Sequence, residues 1–268
     1  MKKIITILIV LVGILLVITL FSLDFGTNGN GNNGNGNNNS SRVFLTNTFS
    51  EGFEDALSFE DIFDEDLSRW HNLHQEPSSN KLEINNNIVH SGKNSLKFFS
   101  VARTSDVPKA SIMRQGFSFK KNDEVWSSAW YYIEGNANAQ DTFLWDLEDS
   151  EAYQNPGRRI YIQEGEFIAS DLGKSLSAEI FRQERGKEIK VPKNKWFNIK
   201  IYLYLSEEKD GRMEVWQDNI KIINGKGQTL PNKNSIYDRL EVGLTANANE
   251  ESTRTLYLDD IRISDKEF

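Results

Sequence analysis

Two short stretches hold side chains whose types and spacing could do chemistry. In Gly157–Gln163, "GRRIYIQ", a strand would turn Ile160 and Ile162 to one side. Arg159, Tyr161 and Gln163 would then line the other, a guanidinium, a phenol and an amide in one row. In "FLWDLED", Asp146 and Glu148 stand at i and i+2, on one strand face, roughly 6–7 Å apart by strand rise. Retaining glycosidases need carboxyls about 5–5.5 Å apart, so Asp146 and Glu148 also admit a glycoside hydrolase. The three histidines, His71, His74 and His90, all lie within the first 90 residues. His71 and His74 lie beside Trp70, with no third metal ligand supplied by the surrounding sequence.

Those stretches need a sheet to hold them. From Lys81 onward apolar residues recur every second position, broken by Gly, Asn, Asp and Pro. The pattern predicts strands over 81–89, 95–103, 110–119, 124–133, 141–148, 157–163, 165–170, 177–184, 196–205, 211–217, 219–224, 237–246 and 254–263. Asp210-Gly211 marks a hairpin turn. So many strands without helical crossovers specify an all-β, two-sheet antiparallel sandwich or jelly roll. Residues 51–76 are acidic and mixed, with short helical turns at most. Phe197, Ile199, Ile201, Leu203 and Leu205 form an apolar face opposite Lys200 and Tyr202, as Val125 and Ala129 stand opposite Trp130. Trp130, Trp145, Lys200 and Tyr202, with Asp146 and Glu148, are therefore candidate contacts for a sugar chain, since aromatic faces stack on sugar C–H groups.

The chain has 268 residues and a formal net charge of −8, with no block of Lys or Arg, which argues against nucleic acid. It has no cysteine, which excludes disulfides, thiolate metal sites and a lipid-bearing Cys. Two lysines precede Ile4–Phe21, an uncharged apolar run that as a helix would rise about 27 Å. No small-x-small cleavage site follows, so residues 1–25 are expected to be an uncleaved signal anchor, giving a secreted protein if cut. The basic end stays cytoplasmic and the remainder extracytoplasmic. Residues 26–41, thirteen Gly or Asn in sixteen, are a flexible spacer before a domain at 42–268. Asn38 and Asn39 open N-glycosylation sequons there.

Several stretches resemble the concanavalin A-like jelly rolls of lyases and lectins, above all the heparin lyase I type of polysaccharide lyase. They are "FEDIFDEDLSRW", "NIVHSGKNSLKF", "ASIMRQGF", "DEVWSSAWYYIEG", "NKWFNIKIYLYLSEEKDGRMEVWQDNIKI" and the closing "RTLYLDDIRIS". The resemblance covers about residues 53–264. It implies β-elimination on a uronic-acid polysaccharide, with Arg114 on the family's Arg-bearing strand joining Arg159, Tyr161 and Gln163 as the catalytic set. It also implies a structural Ca²⁺ held by Glu60, the Lys93 carbonyl, and Asp259 or Asp260, hard oxygen ligands suited to that ion. The chain departs from the family where Asp146 and Glu148 occupy a strand that usually carries Gln-x-His. Two other functions fit the same residues, a non-catalytic carbohydrate-binding domain and a structural cell-surface domain.

Overall fold

The computed structural model describes residues 46–64, 68–152, 157–173 and 180–268. The expected membrane segment at 4–21 and the spacer at 26–41 lie outside the described residues. Among the described residues, fifteen strands form two antiparallel sheets. They are β1 (Phe49–Glu51), β2 (Asn72–Glu76), β3 (Lys81–Asn85), β4 (Ser95–Ser100), β5 (Lys109–Phe119), β6 (Glu124–Ile133), β7 (Thr142–Glu148) and β8 (Gly157–Gln163). After these come β9 (Phe167–Leu172), β10 (Phe181–Arg182), β11 (Trp196–Tyr204), β12 (Arg212–Gln217), β13 (Ile220–Lys226), β14 (Tyr237–Asn247) and β15 (Arg254–Ser264). One sheet runs β13-β12-β11-β6-β15-β4-β3, with β1 also on β15; the other runs β10-β9-β8-β7-β14-β5-β2. Two 3-10 turns, at Glu60–Ile62 and Glu164–Glu166, are the only helical elements among the described residues.

The period-two reading places 124–133 and 157–163 to the residue and most other strands within a few. It missed β1 and β2, which sit in or before the mixed acidic segment. β2 carries one partly buried Leu73 between polar neighbours. It is held by its ladder to β5, in which His74 faces Ser111 and Asn72 faces Met113. Pairing that distant in sequence leaves no local pattern.

The core lies between the sheets, and alternation in each strand sorts its two faces. Phe197, Ile199, Ile201 and Leu203 are buried from one side, Leu144, Leu147, Ile160, Ile162, Leu240 and Val242 from the other. Each such side chain contributes about 1.5–3 kcal/mol of burial. Trp145 crosses the sandwich, its indole N–H donating to the Ser127 hydroxyl of β6 at 3.1 Å. Gly243 has φ +114, and a Cβ there would lie 2.5 Å from the Phe98 ring of the opposite sheet, so only glycine lets β14 pass.

Candidate active face

The outer face of the seven-stranded sheet is built by register. Met113, Glu241, Asp146, Arg159 and Asp171 lie in one row across β5, β14, β7, β8 and β9. One residue along, Arg114, Leu240, Leu147, Arg158 and Leu172 form the next row, which points into the sandwich. Irregularities sharpen the first row. A bulge in β14 between Val242 and Ala246 turns Thr245 toward β7, where its hydroxyl donates to Asp146 Oδ1 at 3.1 Å. Another in β7 between Phe143 and Trp145 sends Phe143 outward and Trp145 inward. Phe143 stacks on Tyr161 with centroids 4.9 Å apart, and the Arg159 guanidinium lies 4.6 Å over the Phe143 ring.

Asp146, Glu148 and Glu241 converge so that one carboxyl oxygen from each lies within 4.8 Å of the others. All three are nearly sealed, at 6%, 6% and 1% exposure. Beyond the Thr245 hydroxyl on Asp146, the other two have partners of their own. Arg239 grips Glu148, with Nε 2.7 Å from Oε2. His74 Nδ1 stands 2.9 Å from Glu241 Oε1, which the Ser111 hydroxyl also reaches. Burial pushes Asp146 well above the ordinary carboxyl range, reinforced by the charges of Glu148 and Glu241 and opposed by Arg159 and Lys109. Burial also raises Glu148, with Arg239 opposing. For Glu241 burial acts upward too, but the bond from His74, Lys109 and Ser111 outweigh it and hold the group low. The trio's geometry would admit a divalent ion, but protein groups already hydrogen-bond all three members, Glu148 and Glu241 most heavily.

Arg159 is committed as well. Its guanidinium makes a bidentate pair with Asp171 at 2.7 and 2.8 Å and donates to the Gly173 carbonyl at 3.0 Å. Tyr161 is pushed up by burial and by Asp171, so it keeps its proton. Gln163 Oε1 accepts from Arg182 at 3.1 Å. The row read from the sequence therefore stands together on the outer face, beside Asp146 and Glu148.

The other expected site residues fall elsewhere. Arg114 points inward, 4.3 Å over the Phe49 ring with its guanidinium on the Arg69 carbonyl at 2.7 Å, so it does not join Arg159. Trp145 belongs to the core, because the bulge turned it. Trp130, Lys200 and Tyr202 share the outer face of the eight-stranded sheet. There Trp130 stacks on His90 at 3.7 Å, while Lys200 sits 4.7 Å over Trp126, whose ring packs 4.6 Å from Tyr202. Alternation gives the outward face, but it does not say which sheet a strand joins.

For the ion, Glu60 lies exposed on its 3-10 turn. Glu54 is the acid that meets the Ser91–Lys93 turn, its Oε2 accepting the Lys93 N–H at 2.7 Å. A Cβ on Gly92 would lie 2.0 Å from Glu54 Oε1, so the glycine makes room for that carboxylate. Asp259 is buried, accepts the N–H groups of His90 and Ser91, and is raised to about 6 chiefly by burial. Asp260 takes the Ser91 hydroxyl at 2.9 Å and faces His90 Nδ1 at 2.6 Å.

His74, weighed in the sequence only as a metal ligand beside His71, is the group missing from the site expected there. Its signal was the pair His74 and Glu241, 167 positions apart and joined only by the β2-β5-β14 order. His71, by contrast, accepts the Gln115 N–H at Nδ1, and burial lowers it to about 4, so its lone pair is spent.

Comparison with known proteins fits this architecture. A family model described as "Polysaccharide lyase" matches residues 64–262. The chain belongs to this polysaccharide lyase family. An endo-β-1,4-glucuronan lyase from the fungus Trichoderma reesei has a similar structure, with TM-score 0.59 and 13% identity over 73% of this chain and 90% of that one. The alginate lyase Aly36B gives 0.58 and 8%, over 82% and 97%. Cellulose induced protein, Cip1, gives 0.56 and 14%, over 82% and 98%. At such identities the likeness establishes the polysaccharide lyase fold. No curated protein matches the sequence.

Proposed function

We propose that this protein cleaves a uronic-acid-containing polysaccharide by β-elimination on the outer face of its seven-stranded sheet. The observation that carries the reading is His74 on Glu241, at the edge of a cluster of buried charges, in a chain of the polysaccharide lyase family. A carboxylate on Nδ1 fixes the imidazole tautomer and leaves Nε2 to take a proton. His74 Nε2 removes the C5 proton of the uronate, and the C5–H electron pair becomes the C4–C5 double bond. The C4–O bond breaks, and the imidazolium returns the proton to the departing oxygen. Arg159, Tyr161 with Phe143, and Gln163 offer the neighbouring stretch on which the sugar chain rests, Tyr161 as a proton-bearing donor.

The same proposal places the domain outside the membrane on an N-terminal anchor at residues 4–21. It gives the domain a structural Ca²⁺ held by Asp260, the Lys93 carbonyl and Glu54, in place of Glu60, with Asp259 buttressing the turn.

Incubating the full chain with glucuronan, alginate and other uronate polymers tests the activity through the ultraviolet absorbance of the unsaturated product. Elimination predicts a rise on at least one polymer that His74→Ala abolishes. New reducing ends without absorbance would instead favour hydrolysis by Asp146 and Glu148, whose convergence is the observation behind that second reading. Retention on immobilised glycan without cleavage would leave a binding domain, and neither result would remove the polysaccharide altogether.

A further inference from the structure

Eliminating across C4–C5 requires that the negative charge building on the uronate carboxylate be taken up by a donor beside it. The cationic candidates on this face are engaged. Arg159 is clamped by Asp171 and Arg239 by Glu148, each through charge-assisted bonds. Asp146 differs from its neighbours. It is buried, yet among the described residues its one hydrogen bond comes from the Thr245 hydroxyl to Oδ1, and Oδ2 receives none. Two further carboxyls stand within 4.8 Å, one held by Arg239 and the other by His74 and Ser111. Like charges that close cannot all remain ionised, and the proton settles on the member that receives the fewest donors.

We propose that Asp146, carrying that proton, is the hydrogen-bond donor that binds the C6 carboxylate of the sugar being cleaved. The inference rests on the proposed elimination and adds to it what this chain uses on the strand where an amide and an imidazole are usual. The arrangement puts donor and base in one neighbourhood, because Glu241 touches His74 on one side and stands within 4.8 Å of Asp146 on the other. The proton stays on Asp146 or is shared across an O–H···O bond, while His74 performs the transfer between C5 and the leaving oxygen. Glu148 from β7, Glu241 and Arg239 from β14, Lys109 from β5, Arg159 from β8, Asp171 from β9, His74 from β2 and Tyr131 from β6 across the sandwich are the charged or titratable groups around it. The push upward comes from burial first, then from Glu148 and Glu241; Arg159 and Lys109 pull down.

The test compares full-length Asp146→Asn and Asp146→Ala with the unmodified protein over a pH series, on glucuronan and alginate, after thermal melts have shown both variants folded. Unmodified protein should lose kcat/KM about tenfold per pH unit on an alkaline limb as Asp146 ionises. Asp146→Asn keeps a neutral donor, so it should stay within about tenfold of the plateau and lose the limb, while Asp146→Ala should fall about 10²–10³-fold at every pH. Calorimetry with an alginate or glucuronate trisaccharide, in buffers of different ionisation enthalpy, gives a readout independent of turnover. Binding above the limb should draw in one proton, and Asp146→Asn should draw in none. An Asp146→Asn protein that keeps the limb, or is as weak as Asp146→Ala throughout, overturns the proposal. So does binding without proton uptake. If no polymer is cleaved but proton-linked binding persists, the lyase reading falls and carboxyl–carboxylate recognition by Asp146 stands.

Discussion

Replacing Glu241 by Gln tests whether His74 is a positioned base or a surface histidine that happens to touch a carboxylate. Glu241 is 1% exposed and binds both His74 Nδ1 and the Ser111 hydroxyl. Hydrogen bonds to a charged group are worth about 1.5–3 kcal/mol each. Gln can still accept one of them and no longer buries a charge, so a net loss of about 2 kcal/mol is expected. At about 2–4 °C per kcal/mol for a domain of this size, the melting temperature should drop by roughly 4–8 °C at neutral pH. The sign with pH follows from the native carboxyl being held low. Its stabilisation is present above the ordinary value of 4.5 and is lost as pH falls through the lower native value, so the gap should close in acid. Activity should respond more strongly, because the tautomer is no longer fixed, with kcat/KM down about 10²–10⁴-fold and KM little changed. Scanning calorimetry and elimination kinetics on Glu241→Gln, His74→Ala and the double variant complete the cycle. The two single losses should overlap by about 0.5–3 kcal/mol in stability. A double variant that merely sums them, or a Glu241→Gln enzyme of undiminished kcat, refutes the orienting role.

Tyr161→Phe should leave elimination within about tenfold and Tyr161→Ala should weaken oligosaccharide binding by a similar factor, since the ring stack on Phe143 outlasts the hydroxyl; loss of all turnover in Tyr161→Phe would move the base to β8. Trp145→Phe should cost about 1–3 kcal/mol in denaturant unfolding, losing the bond to Ser127 and leaving space between the sheets, without altering KM. If Trp145 instead touched sugar, KM would rise while stability held. Calcium at 100 times its dissociation constant should add about 2.7 kcal/mol of stability, an increment that Glu54→Gln removes. A melting temperature indifferent to both calcium and chelator would leave the Glu54–Asp260 turn without an ion.

Much of this molecule is written in its local pattern, and the exceptions share one cause. β6 and β8 were legible because each alternates apolar and polar residues, and the apolar half had only one place to go. β2 was not, since "NLHQE" has a single partly buried apolar residue and owes its place to a backbone ladder with β5. Arg159, Tyr161 and Gln163 were legible as a row, and Asp146 with Glu148 as a pair. Arg114 was drawn to the wrong side because resemblance fixes a strand, and a single step along it inverts the face. Trp145 escaped strict alternation through a bulge, which no composition rule announces. Lys200 and Tyr202 faced outward as read, but from the other sheet.

On β7 alone the site is incomplete. β7 carries carboxyls where a neutral donor and a base would be expected, and taken alone those carboxyls repel a uronate. Strand order changes their charge state. Inserting β14 between β5 and β7 brings Glu241 against both Asp146 and, beyond β5, His74. Burial raises Asp146 first, Glu148 and then Glu241 add to it, and Glu241 bonds the imidazole on its other side. In the proposed elimination a proton-bearing Asp146 is the donor, and His74 the base that β7 lacks. The chemistry proposed here thus depends on a charge shared across four strands, β2, β5, β14 and β7, and a substitution at Glu241 should disturb both partners at once.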